Sequence, residues 1–221
     1  MNFYKYPKTL ILAQAFGITL IALLFVVTFN YWGGMNWNDN NTLFNFHPFF
    51  MVLGMIYLYG NAIIIYQCLR SLPHFLVKVI HAVLHLINMT FTIVALVAIF
   101  KLHKNHLDNL HAWIGIAVVI AYFLQWFYSF AIFMLPYASE SMRAKGLVVH
   151  KYFGIIVFIG ALIAVISGIC LTNEKKDLDV GGKMASSLGV FILLFGACIV
   201  YAATRRGYGH FSQSDDDYEY N

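Results

Sequence analysis

Charge is what this sequence has least of. Only 11% of its 221 residues are charged, where a soluble domain carries about 25%. So few charges cannot clothe a water-soluble globule of this size, and that class is excluded. Cysteine is also sparse: Cys68, Cys170 and Cys198 show no pairing by spacing. That excludes a disulfide framework, and the three read as packing residues. Strict polar/apolar alternation is missing, which excludes the strands of a transmembrane barrel. Long connections are missing too, which leaves no room for a second domain.

What is present is apolar. Hydrophobic residues make up 61% of the chain and the mean hydropathy is +0.72. Six apolar runs stand near residues 9–29, 47–69, 77–100, 112–135, 148–171 and 184–203. Each reaches the roughly 20 residues that cross about 30 Å of hydrocarbon as a helix. Backbone groups in lipid must be satisfied within the segment, so helices are the form they take. The first run follows Lys5 and Lys8 but exceeds the 7–15 residues of a signal-peptide core, so it reads as a retained helix. The fold class is therefore all-α, an integral membrane six-helix bundle, with one domain over residues 1–206. Residues 207–221 form an acidic tail ending SDDDYEYN, which reads as disordered.

Six crossings put both termini on one side. With cytoplasmic termini, that side carries Lys5, Lys8, Arg70, Lys78, Arg143, Lys145, Lys151, Arg205 and Arg206, nine basic residues. The other side carries five: Lys101, Lys104, Lys175, Lys176 and Lys183. The excess predicts cytoplasmic termini. The formal net charge of +4 is then a topology signal and does not point to nucleic acid. Asn40-Asn41-Thr42, a glycosylation sequon, falls on the opposite side, close to the second helix.

Four histidines punctuate the apolar runs. His47 and His81, 34 residues apart, open helices two and three; His111 and His150, 39 apart, open helices four and five. Helices two and four enter from the non-cytoplasmic side, so His47 and His111 share a depth near that face. Helices three and five enter from the other side, so His81 and His150 share a depth there. Pro48 marks the start of helix two, since proline is tolerated in a first helical turn. Facing imidazoles across a bundle suit the axial positions of a b-type haem. With no Cys-x-x-Cys-His sequence, any haem is non-covalent. Intramembrane ionisable residues are functional hypotheses by default. The remaining histidines point less clearly. His85 lies one turn beyond His81 and reads equally as a pocket hydrogen-bonding group or a packed side chain. His74 and His210 read as solvated. His103, His106 and Asp108 cluster in the 101–110 loop, either as a solvated loop or as a transient metal site of imidazole and carboxylate.

The motifs FNFHP (Phe44 to Pro48), Lys78-x-x-His81-Ala-x-Leu-His85, Leu110-His-Ala-Trp-Ile-Gly with the later Leu124-Gln-Trp, and Val149-His-Lys-Tyr-Phe-Gly resemble the cytochrome b561 family. The resemblance covers about residues 44–171, helices two to five. It implies a four-helix core holding two haem b groups, His47 with His111 and His81 with His150. It implies oxidation of cytoplasmic ascorbate and delivery of the electron to a non-cytoplasmic ferric chelate or monodehydroascorbate, and a homodimer in the plasma membrane or an endosomal or lysosomal membrane. Ascorbate is a monoanion at neutral pH, so its site needs cations. Arg70, Lys78, Arg143, Lys145 and Lys151 stand at the cytoplasmic mouth, and the resemblance singles out Lys78 and Arg143. In AIIIYQCLR (Ala62 to Arg70), Tyr66 and Arg70 fit the family stretch, while Gln67 replaces an arginine common in relatives. Asn109-Leu-His-Ala-Trp113 stands where many relatives carry Ser-Leu-His-Ser-Trp. Tyr122, Phe123, Trp126 and Phe127 lie between the histidine levels, as packing or as part of an electron path. Gly207-Tyr-Gly-His-Phe211 resembles a tyrosine-based sorting signal.

Two rival functions are compatible with the histidines. A di-haem membrane subunit would exchange electrons with quinone for a partner dehydrogenase. A metal transporter would use the histidines as a permeation path and would place polar residues in mid-membrane, where the sequence is mostly Leu, Ile, Val, Phe and Gly.

Overall fold

In the computed structural model, residues 7–102, 107–175 and 180–205 are described. Six spans are long and apolar enough to cross a membrane: α1 (Lys8–Tyr31), α2 (Asn40–Cys68), α3 (His74–Leu102), α4 (Leu110–Phe133), α5 (Glu140–Thr172) and α6 (Val180–Thr204). No strand occurs among the described residues. The expected six-helix membrane bundle is the observed one, with five of the six spans longer than the apolar run that announced them and the fourth of equal length.

Helices α2 and α3 pack as one hairpin and α4 and α5 as another. The two hairpins meet chiefly where α2 lies against α5, so α2 to α5 form a four-helix core. The pairs α2/α4 and α3/α5 are its diagonals. Helices α1 and α6 pack on each other, and α6 also packs against α2 and α5. Phe195 of α6 is fully buried in a notch where helix backbones come close: a side-chain carbon on Gly60 would stand 2.6 Å from its ring, and one on Gly17 3.1 Å. Small residues that admit such close approach are the usual means of packing helices in lipid, where burial against neighbouring helices gains little over lipid tails.

The start of α2 departs from the sequence expectation. Helix begins before His47, with a short turn over Asn40–Leu43, and resumes over Phe46–Met51. The Asp39 carboxylate accepts from the Asn41 N–H at 3.1 Å and the Thr42 hydroxyl at 2.9 Å, which holds its pKa below the ordinary carboxylate value. Buried Asn45 then donates to the carbonyls of Trp32 and Gly34 at 2.8 and 2.7 Å. That clamp is reached through Gly33 and Gly34, both at positive φ (78° and 81°), a conformation glycine adopts without steric cost. Pro48 stands in the first turn of Phe46–Met51, where proline is tolerated. Beyond it the helix widens to a π-helix over Val52–Leu58, a form that occurs mostly as short bulges and often at functional sites.

Candidate functional site

The core brings the four histidines together as two diagonal pairs at two levels. His47 on α2 faces His111 on α4 with ring centroids 6.0 Å apart and planes at 90°. His81 on α3 faces His150 on α5 at 5.9 Å and 79°. A metal–imidazole bond of about 2 Å, and roughly 1 Å from ring nitrogen to centroid, put two imidazoles sharing one ion about 6 Å apart. Both pairs have that spacing.

The ring partners fix which nitrogen faces inward. His81 Nδ1 donates to the Ala62 carbonyl of α2 at 2.9 Å. His111 Nδ1 donates to the Ala164 carbonyl of α5 at 2.8 Å. A carbonyl only accepts, so each Nδ1 carries the proton and each Nε2 presents a lone pair. His150 Nδ1 lies 2.8 Å from the Ser129 hydroxyl and 3.2 Å from the Gln125 amide, both on α4. These three rings are thus each held by the neighbouring helix of their own hairpin, the arrangement that orients metal-ligating histidines. Gly168 completes the upper level: a side-chain carbon there would stand 2.9 Å from the His111 ring. Donor type and spacing fit a group ligated by two imidazoles at each level, and the tautomer of His81 and His111, one ring at each level, fits it too.

A polar cluster lies beside the lower pair and reaches toward mid-bundle. The His85 ring contacts the His81 ring at 4.6 Å. Its Nδ1 is 3.1 Å from the Tyr122 hydroxyl, which donates to the His85 carbonyl at 2.9 Å. Tyr59 packs on both, 5.0 Å from His85 and 5.2 Å from Tyr122, and its hydroxyl donates to the Gly154 carbonyl at 3.0 Å. Asn88 and Thr92 are fully buried further along α3. The stretch between the two levels is therefore less uniformly apolar than the sequence suggests. His85 is both hydrogen-bonded, to Tyr122, and buried and packed against His81 and Tyr59, so the two readings open for it are not exclusive. Tyr122 belongs to this network, whereas Phe127 is 61% exposed and Trp126 stacks on Phe130 at 5.2 Å.

The residues expected to meet an anion gather at the end of the bundle nearer His81 and His150, but with different degrees of freedom. Tyr66 contacts the His81 ring at 5.6 Å and the His74 ring at 5.7 Å. Lys78 is half-buried on α3 and Lys151 half-buried beside His150, while Arg70 and Lys145 are exposed. Arg143 is engaged structurally: its Nε and Nη2 donate to the carbonyls of Ala138 and Leu135 at 3.1 and 3.0 Å, fastening the loop between α4 and α5. A cleft of roughly 270 Å³ opens beside this level, lined by Leu124, Gln125, Tyr128, Val149, His150 and Phe153. At the opposite end, Asp108 is exposed and accepts from the Asn109 amide at 2.6 Å. His103 and His106 lie outside the described residues, as do the tail 207–221 and its Gly207–Phe211 motif. No cluster of three metal-ligating side chains occurs among the described residues.

Sequence reasoning missed Ser129, Tyr59 and Asn45 as site residues. A signal for Ser129 was present: His111, Gly115, Val118, Tyr122, Gln125 and Ser129 recur at intervals of three and four, one face of one helix.

The profile of eukaryotic cytochrome b561 matches residues 46–174. The transmembrane ascorbate-dependent reductase CYB561 of Homo sapiens is 33% identical over 223 residues, covering 95% of this chain and 87% of its own length. The lysosomal membrane ascorbate-dependent ferrireductase CYB561A3 of Mus musculus is 38% identical over 187 residues, 77% of each chain. Its Homo sapiens counterpart is 35% identical over 201 residues, 82% of each.

Proposed function

The chain belongs to the eukaryotic cytochrome b561 family, and on that basis we propose that it carries electrons across a membrane from ascorbate to an acceptor on the opposite face. The observation that carries this reading is the pair of facing imidazole sets, 6.0 and 5.9 Å between ring centroids, on the two diagonals of one four-helix core. Family membership implies haem b. Two sets imply two haems, His47 and His111 holding one and His81 and His150 the other. Haem supplies reversible one-electron chemistry at its iron when bound.

The protein's own contribution is ligation, orientation and charge. The carbonyls of Ala62 and Ala164 hold His81 and His111 in the tautomer that presents Nε2. Tyr66, Lys78 and Lys151, with Arg70 and Lys145 at the rim, form the cationic mouth that binds ascorbate. There the monoanion gives up one electron and one proton, leaving the monodehydroascorbate radical. Arg143 shapes that mouth through the loop it fastens. The excess of basic residues on this side makes it cytoplasmic. The acceptor on the other side is a ferric chelate or monodehydroascorbate, met near the 101–110 loop. His103, His106 and Asp108 of that loop are candidate groups for holding a ferric ion. The setting is the plasma membrane or an endosomal or lysosomal membrane, with a homodimer as the assembled form.

Reconstitution tests the reading. Vesicles holding the purified protein, loaded with ascorbate and given a ferric chelate outside, should reduce it. Failure of the electron to cross unless a dehydrogenase subunit or quinone is added would replace this function with the quinone-linked one.

A further inference from the structure

His81 and His111 are each oriented by a main-chain carbonyl, which no side-chain substitution removes. His150 is held differently. Two α4 side chains reach its Nδ1, the Ser129 hydroxyl at 2.8 Å and the Gln125 amide nitrogen at 3.2 Å. An amide nitrogen only donates, so it cannot accept the Nδ1 proton that the ligating tautomer carries. Turning the Gln125 amide over would offer its oxygen instead. That oxygen would then sit 3.0 Å from the His150 carbonyl, where the Gln125 nitrogen now donates, placing two acceptors in contact. The amide is thus committed to the carbonyl, and among the described residues the Ser129 hydroxyl is the acceptor left for Nδ1–H.

We propose that Ser129 is the positioning residue of the second histidine pair, fixing the His150 tautomer and setting the reduction potential of the haem that His81 and His150 hold. It rests on the reading that His150 ligates iron. Donation from Nδ1–H to an acceptor raises the basicity of Nε2. A more basic ligand stabilises ferric over ferrous iron and lowers the potential. Removing the hydroxyl therefore makes this haem easier to reduce. Ser129 lies on the same helical stripe as His111 but about five turns away along α4, so the other haem is untouched.

The test is a potentiometric titration of the purified holoprotein followed in its visible bands, with haem content measured in parallel. Ser129→Ala should move one midpoint positive, a threefold to tenfold change in the reduced-to-oxidised ratio at fixed potential, up to about 59 mV for one electron. The shifted midpoint should be the one that His150→Ala abolishes. Ser129→Thr, which keeps a hydroxyl, should restore it, and the second midpoint should not move. Two unmoved midpoints in Ser129→Ala at full haem content, or an equal shift in Ser129→Thr, would overturn the role. Should Ser129→Ala lose haem altogether, Ser129→Cys, a weaker acceptor of similar size, decides: a positive shift supports the role and no shift refutes it. The two layers separate cleanly. Retention of both haems by His150→Ala sinks the ligand assignment, whereas loss of one haem there with a silent Ser129→Ala sinks only the role of Ser129.

Discussion

The side-chain hydroxyl of Tyr122 and the main chain of His85 join α4 to α3: the hydroxyl donates to the His85 carbonyl at 2.9 Å and lies 3.1 Å from the ring Nδ1 of the same residue. Helices α3 and α4 otherwise touch only lightly, so this double contact is the side-chain tie across that seam, beside the larger α2/α5 contact between the hairpins. It also lies next to the lower histidine pair, since His85 stacks edge-on against His81.

Tyr122→Phe should therefore destabilise the bundle while leaving the ligands in place. Buried groups that lose a hydrogen-bond partner cost about 1–3 kcal/mol each. Thermal unfolding in detergent should fall accordingly, with haem content unchanged. His85→Ala should likewise keep its full haem complement, since the His85 ring Nδ1 is engaged with Tyr122; loss of a haem there would contradict a purely supporting role.

At the upper level Gly168 backs the His111 ring, with 2.9 Å between a notional side-chain carbon and that ring. Overpacking a filled core costs about 1–3 kcal/mol. Gly168→Ala should push the ring out of line and lower occupancy of one haem, read as a fall toward one haem per chain by pyridine haemochrome assay.

Arg143 and Lys78 should part company. Arg143→Ala loses two bonds to loop carbonyls, each worth about 1.5–3 kcal/mol for a charged donor before solvent screening. It should lower the unfolding temperature as well as ascorbate affinity. Lys78→Ala should raise KM for ascorbate severalfold and leave the unfolding temperature where it was.

Asp39 predicts a pH dependence confined to the start of α2. Its pKa is lowered in the fold by the Asn41 N–H and the Thr42 hydroxyl. Its contribution is then complete above the unfolded value of about 3.9 and fades as pH falls through the lower folded value. Asp39→Asn should unfold at a lower temperature than the parent at neutral pH, and the gap should close in acid.

The sequence displayed the spans, their hairpin pairing and the depth of each histidine, because lipid leaves helices as the form open to apolar runs of that length. His47 and His111 could be matched from topology alone, since depth follows from counting crossings. The holding groups were harder to see. Ala62 and Ala164 act through main-chain carbonyls, so their residue type carries no signal. Asn45 works through a contact with Trp32 and Gly34, residues outside its own helix. The two bonds of Arg143 to loop carbonyls were not legible in the sequence, because a long basic side chain at a membrane face reads the same whether or not it also fastens a loop. Ser129 and Tyr122 were visible as a stripe with His111, but a stripe alone reads as packing.

Haem counting across paired substitutions tests the central arrangement most directly. With His47 and His111 sharing one haem and His81 and His150 the other, His47→Ala, His111→Ala and their double variant should each retain one haem per chain and the same remaining absorption band. Combining His47→Ala with His81→Ala should retain none. A double His47→Ala, His111→Ala protein that loses both haems, or a His47→Ala, His81→Ala protein that keeps one, would contradict the pairing.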